Sequence, residues 1–286
     1  MNSQQAFGIV AIFYAVANLG SMGLELDLRE TAKSLRSIRV LGLTLGWSWL
    51  VGPALAVLLT RVLPMAEPYA MGLLIFSLAP TAPALPLFIR IARADMSLAA
   101  AVMPLSVVGT VVLMPVLAPF LIPGLTVSSW AIGKPLLLTV LLPLVVGVVI
   151  REYAAPVADR VFPAVKKIAG LSTLLLLVFT LVFHGRALLS ALGSFAVGAQ
   201  VLFTLGMALS YTLGFGLNQA QRSALALGVC SRNGGAMFVA ITAFPNLDPR
   251  LLVMILLAVP VPVIVWFLLA RFFASRAVKT LEGAVA

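Results

Sequence analysis

Apolar positions along this chain do not alternate with polar ones as they do in a half-buried strand. They run on for membrane-length stretches and stop at short polar connections. Nine such runs can be drawn, over 6–26, 39–60, 68–93, 95–121, 135–152, 163–183, 194–218, 221–244 and 250–274. Continuous runs exclude a transmembrane β-barrel, whose strands alternate. The predicted fold is all-α and polytopic, with nine transmembrane helices. No soluble domain or low-complexity segment intervenes, and the longest polar connections are 27–38 and 151–167. No basic residue precedes the first run, so it is expected to be a true first span rather than a cleaved signal.

Composition sharpens this. The chain of 286 residues is 62% hydrophobic and 10% charged, whereas a soluble domain carries roughly 25% charged residues. The net charge of +10 lies mostly in the connections, so it reports topology and gives no reason to expect nucleic acid. With the N-terminus outside, the inner segments hold Arg29, Lys33, Arg36, Arg39, Arg90, Arg93, Arg151, Arg160, Lys166, Lys167, Arg222, Arg271, Arg276 and Lys279. The outer side holds Arg61, Lys134, Arg186 and Arg250. A split of fourteen to four predicts a multi-pass protein of the cell (inner) membrane, N-terminus outside and C-terminus cytoplasmic. One cysteine, Cys230, and one histidine, His184, exclude a disulfide and a cysteine or histidine metal cluster.

Two runs are interrupted near their centres. The third contains "APTAPALPLF", with Pro80, Pro83 and Pro86. Each proline lacks an N–H and clashes with the carbonyl four residues back, so three in seven residues should unwind the helix. The eighth contains "CSRNGG", and its expected breaking residues are Gly228, Gly234 and Gly235 beside Asn233. Unwound backbone at membrane depth is tolerated where it packs in protein or lines a cavity. Paired broken spans in corresponding positions of two halves point to a transporter site. Here run eight is fourth of five, and run three is fourth of five if the first half lacks a leading helix. The expected organisation is one transporter domain over 1–286, with a four-helix repeat in 1–121 and an inverted five-helix repeat in 135–274.

"GLELDL" after the first run, "LAPTAPALPLFIRIARADMSLAAAV" through the third, and "SALALGVCSRNGGAMFVAITAF" through the eighth resemble the bile acid:sodium symporter family and its bacterial relatives. The resemblance implies two inverted repeats, with both broken helices crossing in a core domain (runs two, three, four, seven, eight and nine). A panel domain (runs one, five and six) packs against it. It also implies sodium ligands, and several of those positions here are Leu85, Pro86, Ala99, Met103 and Gly228. Ser48 and Arg232 stand where relatives hold glutamines, and Asn233 keeps the asparagine after the second break.

Sodium, a hard cation, needs several oxygen ligands. Glu25, Asp27, Glu30, Glu67, Asp95, Glu152, Asp159, Asp248 and Glu282 all lie away from the expected midplane. No cofactor and no metal site are therefore expected, and no sodium at the family positions. Arg232, charged at any relevant pH, is a candidate functional position because an intramembrane arginine costs about 2.5–3.5 kcal/mol on insertion scales. Three roles are open: direct contact with an anionic substrate, a fixed cation replacing sodium, or structure alone. The candidate substrate-binding residues are Arg232, Asn233, Ser231, Thr81 and Ser48. Asn233 is equally a helix cap, and Ser231 and Thr81 suit local backbone bonds.

The predicted function is secondary transport of an organic anion by alternating access around a midplane site. Sodium symport through altered ligands, and a non-transporting membrane sensor of the same fold, are the alternatives. No carboxylate pair or histidine–carboxylate arrangement supports an enzyme. The partners are the substrate anion and the lipid bilayer.

Overall fold

The computed structural model of the protein describes residues 3–26, 28–35, 37–122, 125, 127–244 and 248–285. Asp27 and Arg36, and the side chains of Glu30, Lys33, Lys279 and Glu282, lie outside the described residues. Those described are mostly helical, with no strand among them. In chain order the first half contains α1 (Ser3–Glu25), α2 (Leu28–Leu35), α3 (Ile38–Gly46), α4 (Gly52–Val62), α5 (Glu67–Leu78), α6 (Leu85–Ala92) and α7 (Met96–Leu121). The second contains α8 (Ser129–Leu136), α9 (Leu142–Tyr153), α10 (Ala155–Leu192), α11 (Phe195–Ala208), α12 (Ser210–Leu213), α13 (Gln219–Cys230), α14 (Gly234–Ile241), α15 (Pro249–Leu257) and α16 (Pro260–Val285). A π turn, Trp47–Val51, joins α3 to α4, and another, Leu137–Leu141, joins α8 to α9.

Among the described residues, eight helical stretches are long and apolar enough to cross a membrane. The third expected run is not one of them. It is divided into α5 and α6, each too short to span alone. Two expectations of connections are corrected. The 27–38 connection contains the amphipathic helix α2. The helix expected at 163–183 begins at Ala155 and runs for 38 residues. Pro156 stands in its first turn, where a missing N–H costs nothing, and the charged residues of 155–167 ride on its exposed faces.

α1 packs along α9 and α10, while α6, α7, α13 and α16 pack around the two breaks, with α11 against α4, α13 and α16. The α1–α9 crossing is built on glycines. A Cβ on Gly147 would stand 2.6 Å from the Gly20 carbonyl oxygen and 2.9 Å from Gly23 Cα. Small residues let two backbones approach where lipid supplies no hydrophobic drive between helices. α7 starts at a capped end, where the Asp95 carboxylate accepts from Leu98 N at 3.0 Å. All described residues from Ser223 to Ile241 are buried, so the second break lies in the protein interior.

Candidate functional site: the junction of the two breaks and the adjoining cavity

α5 ends at Leu78, and the chain is non-helical from Ala79 to Ala84 before α6 begins. Pro80 lies in the extended stretch and Pro83 in the turn that follows. Pro86 is already inside the first turn of α6, where proline is tolerated. The second break is shorter, Ser231–Asn233. Gly234 and Gly235 open α14 behind it. Gly228 does not break the helix, because it lies inside α13. Its lack of a side chain serves packing instead: a Cβ there would stand 2.8 Å from Val102 Cγ1 and 3.8 Å from Leu85 Cδ2.

Three consecutive residues of the first broken helix bond to the second. The Ala79 carbonyl accepts from Arg232 Nη1 at 2.8 Å. The Pro80 carbonyl accepts from Asn233 N at 2.7 Å. Thr81 Oγ1 donates to the Gly228 carbonyl at 2.9 Å. The N–H of Thr81 donates to Ser106 Oγ on α7 at 3.0 Å, and that hydroxyl donates to Met103 O at 2.7 Å. Unwound backbone groups buried away from water must find partners. Here each break satisfies the other, with α7 assisting.

Arg232 is 1% exposed. Its guanidinium carbon lies 5.8 Å from the centre of the Phe203 ring on α11, a cation–π distance. A Cβ on Gly52 would stand 3.2 Å from Arg232 Nη2, so the π turn between α3 and α4 lies beside the guanidinium. No carboxylate among the described residues pairs with it. Nε and Nη2 have no partner among the described residues, and neither do Asn233 Nδ2 and Ser48 Oγ.

The other predicted site residues behave locally. Asn233 caps α14, its Oδ1 accepting from Gly235 N at 2.9 Å and Ala236 N at 3.4 Å. Ser231 Oγ donates to Gly228 O at 3.4 Å. Ser48 sits in the π turn, buried. Cys230, on the last turn of α13, is a buried free thiol.

The predicted substrate-binding set does not line the cavity between the α1–α10 and α6–α7 pairs. A cavity of about 540 Å³ opens between α1 and α10 on one side and α6 and α7 on the other. Asn18, Ser21, Met22 and Glu25 line it from α1, and Lys166, Ala169 and Gly170 from α10. Pro83, Pro86 and Arg90 come from the first break and α6, and Met96, Ala99 and Met103 from α7. Pro83 and Pro86 are thus the predicted site residues that reach it; Arg232, Asn233, Ser231, Thr81 and Ser48 do not. Asn18 Nδ2 donates to the Tyr14 carbonyl of α1 at 3.0 Å and faces the Ala169 carbonyl and the Ser172 and Thr173 hydroxyls of α10, each at 3.4 Å. Glu25 accepts from Lys166 Nζ at 3.2 Å and lies 3.8 Å from Arg90 Nη2. No run of the sequence announced Asn18, Ser21, Glu25, Arg90 and Lys166 as a group. The one signal was Glu25, an acid directly behind a membrane-length run.

The model of the sodium bile acid symporter family matches residues 13–191, well over half of the chain. The chain belongs to the sodium bile acid symporter family. Members of this family are transporters, and the chain is a multi-pass membrane protein. The match contains the first break and all of the cavity lining but ends before the second break at Ser231.

Curated relatives include the probable chloroplastic sodium/metabolite cotransporter BASS2 of Oryza sativa subsp. japonica. It is 26% identical over 201 residues, 68% of this chain and 46% of the relative. The probable chloroplastic sodium/metabolite cotransporter BASS3 of Arabidopsis thaliana is 23% identical over 264 residues, 89% of this chain and 60% of the relative. The rice BASS3 protein of the same description is 27% identical over 187 residues, 63% of this chain and 44% of the relative. The chain thus spans about half the length of the curated relatives it matches.

Several of the positions at which the resemblance implies sodium ligands hold side chains without oxygen. Leu85, Pro86, Ala99, Met103 and Gly228 supply no side-chain oxygen, and Leu85, Val102 and Gly228 pack together. No group of three or more His, Cys, Asp or Glu residues among the described residues could hold a metal. A hard cation needs a shell of oxygens.

Proposed function

We propose that the chain is a secondary transporter of an organic anion that works without sodium at the family positions. Arg232 acts as a fixed cation holding the two broken helices together. The observation that carries this is the bond from Arg232 Nη1 to the Ala79 carbonyl across the breaks, from a buried guanidinium with no carboxylate partner among the described residues. A sodium ion about 4 Å from that charge would meet repulsion of about 4 kcal/mol at an effective dielectric constant near 20. A guanidinium instead supplies permanent positive charge to freed carbonyls, the task a bound cation performs at such a break.

The substrate occupies the cavity between the α1–α10 pair and the α6–α7 pair. Its lining is largely apolar with a few polar groups, as suits an anion with a hydrophobic body. Alternating access follows when the helices around the breaks move as a unit against α1, α9 and α10. The two repeats run oppositely through the cell (inner) membrane, with the N-terminus outside and the C-terminus cytoplasmic.

The description of the relatives as sodium/metabolite cotransporters favours a second reading, sodium coupling through other ligands. One experiment separates the two. Proteoliposomes on a solid support receive jumps of organic anions, taurocholate first, with either sodium or choline as the cation. Equal responses in choline support the sodium-free mechanism. Responses that require sodium overturn it, and no response to any anion counts against transport itself.

A further inference from the structure

Charge in the cavity is confined to one end. Glu25 of α1, Arg90 of α6 and Lys166 of α10 meet there, with Glu25 Oε1 3.2 Å from Lys166 Nζ and 3.8 Å from Arg90 Nη2. Two cations face one carboxylate. Their side chains are 38%, 65% and 52% exposed for Glu25, Arg90 and Lys166, and ion pairs so exposed are weak and exchangeable. Ser21 and Asn18 continue along the same face of α1, four and seven residues before Glu25. The remaining walls, Met22, Pro83 and Met103 among them, are apolar.

We propose that Lys166 and Arg90 bind the anionic group of the transported molecule, and that Glu25 is an internal stand-in for it. In the empty protein the Glu25 carboxylate occupies the two cations. An incoming carboxylate or sulfonate takes its place, and the hydrophobic body of the molecule extends past Ser21 to Asn18. Seven residues of helix set that reach at about 10 Å.

The Glu25–Arg90 pair also joins α1 to α6, so displacing Glu25 releases a contact between the α1–α10 pair and the helices around the breaks. Substrate binding and the freedom of those two groups to move are thereby coupled. This inference rests on the transport reading for the role of the cavity, but the guanidinium that recognises the anion is Arg90, not Arg232.

The test is equilibrium binding, read by thermal shift of the purified full chain in detergent. The probes are cholate and 4-phenylbutyrate, each beside its uncharged amide. The expected result is stabilisation by at least one carboxylate and none by its amide. The double variant Arg90→Gln/Lys166→Gln should lose the preference for charge and weaken carboxylate binding at least tenfold. Glu25→Gln should bind the carboxylate several-fold tighter, because the internal competitor is gone. A purely structural Glu25 would instead lower the ligand-free midpoint and leave affinity unchanged.

The proposal is overturned if no carboxylate stabilises the protein, or if acid and amide act alike. It is equally overturned if the double variant keeps its preference or Glu25→Gln does not tighten binding. Charge-selective binding without flux in proteoliposomes sinks the transport reading alone. Flux that ignores these three charges sinks this proposal alone.

Discussion

The backbone N–H of Asn233 donates to the carbonyl of Pro80 at 2.7 Å, joining two helices at the points where each has lost its own ladder. A proline break frees carbonyls that an intact helix would occupy. The second break supplies donors to two adjacent ones, Arg232 to Ala79 and Asn233 to Pro80. Each break is therefore stable at depth because the other exists. Disturbing one should be felt at the other.

Arg232→Met tests whether the charge is kept for stability or for function. The substitution removes one bond to Ala79, but it also removes a buried charge that no acid neutralises among the described residues. A lone buried charge carries a desolvation cost, and removing it offsets the loss of the bond to the Ala79 carbonyl. The thermal midpoint should correspond to a change within about 1 kcal/mol, while anion flux falls at least tenfold. Flux equal to that of the unaltered chain would remove Arg232 from the mechanism.

Ser106→Ala removes the acceptor for the Thr81 N–H on the first break. That donor is buried and is left unpaired, so the expected cost is about 1–3 kcal/mol. A chemical unfolding curve in mixed micelles measures it. A shift below a few tenths of a kcal/mol would mean that the Thr81 N–H finds another partner.

Gly147→Val separates α1 from α9. The close approach of the new side chain to Gly20 O and Gly23 Cα can be relieved only by moving backbone. Overpacking of this kind costs roughly 1–3 kcal/mol or more. Gly170→Ala on α10, where nothing lies within 4 Å of the added carbon, is the matched control and should be silent. Equal midpoints for the two variants would contradict the close crossing.

Asp248 gives a pH dependence of known sign. Its carboxylate accepts from the Arg250 guanidinium at 2.9 Å and the Arg250 N–H at 2.8 Å, and these bonds hold its pKa below the ordinary carboxylate value. A depressed folded-state pKa contributes stability above the unfolded value of about 3.9. That contribution is lost as the pH falls below it through the lower folded value. Asp248→Asn keeps a capping oxygen but removes the charge. The midpoint difference between pH 6 and pH 3 should shrink slightly in the variant, because the pair is exposed. An unchanged difference would show that Asp248 carries none of the acid sensitivity.

Most spans were legible because lipid demands long apolar runs, and the first break because Pro80 and Pro83 oppose helix locally, while Asn233 marks the second as the cap of α14. Gly228 was misread because a glycine chosen for close approach to Val102 looks, in sequence, like one chosen for a turn. The start of α10 was hidden because charged residues in 151–167 suggested a connection, whereas those from Asp159 to Lys167 sit on the exposed surface of the continuing helix. The π turn around Ser48 carries no proline or glycine signature inside it. The cavity was illegible for a different reason. Asn18 and Ala169 meet across 151 positions of chain, and residues that are unremarkable singly become a site only when α1 lies along α10.

The placement of Arg232 also has an electrical consequence. On the alternating-access mechanism proposed above, a guanidinium fixed between the two broken helices would travel with them, whether or not cargo is aboard. A unit charge crossing the whole membrane field gains or loses about 2.3 kcal/mol per 100 mV. Carrying it through a fifth of the field gives about 0.5 kcal/mol, roughly a twofold bias between the two facing states. The resting voltage of the cell would then favour one orientation of the empty protein, with the protein's own arginine as the voltage-sensing charge.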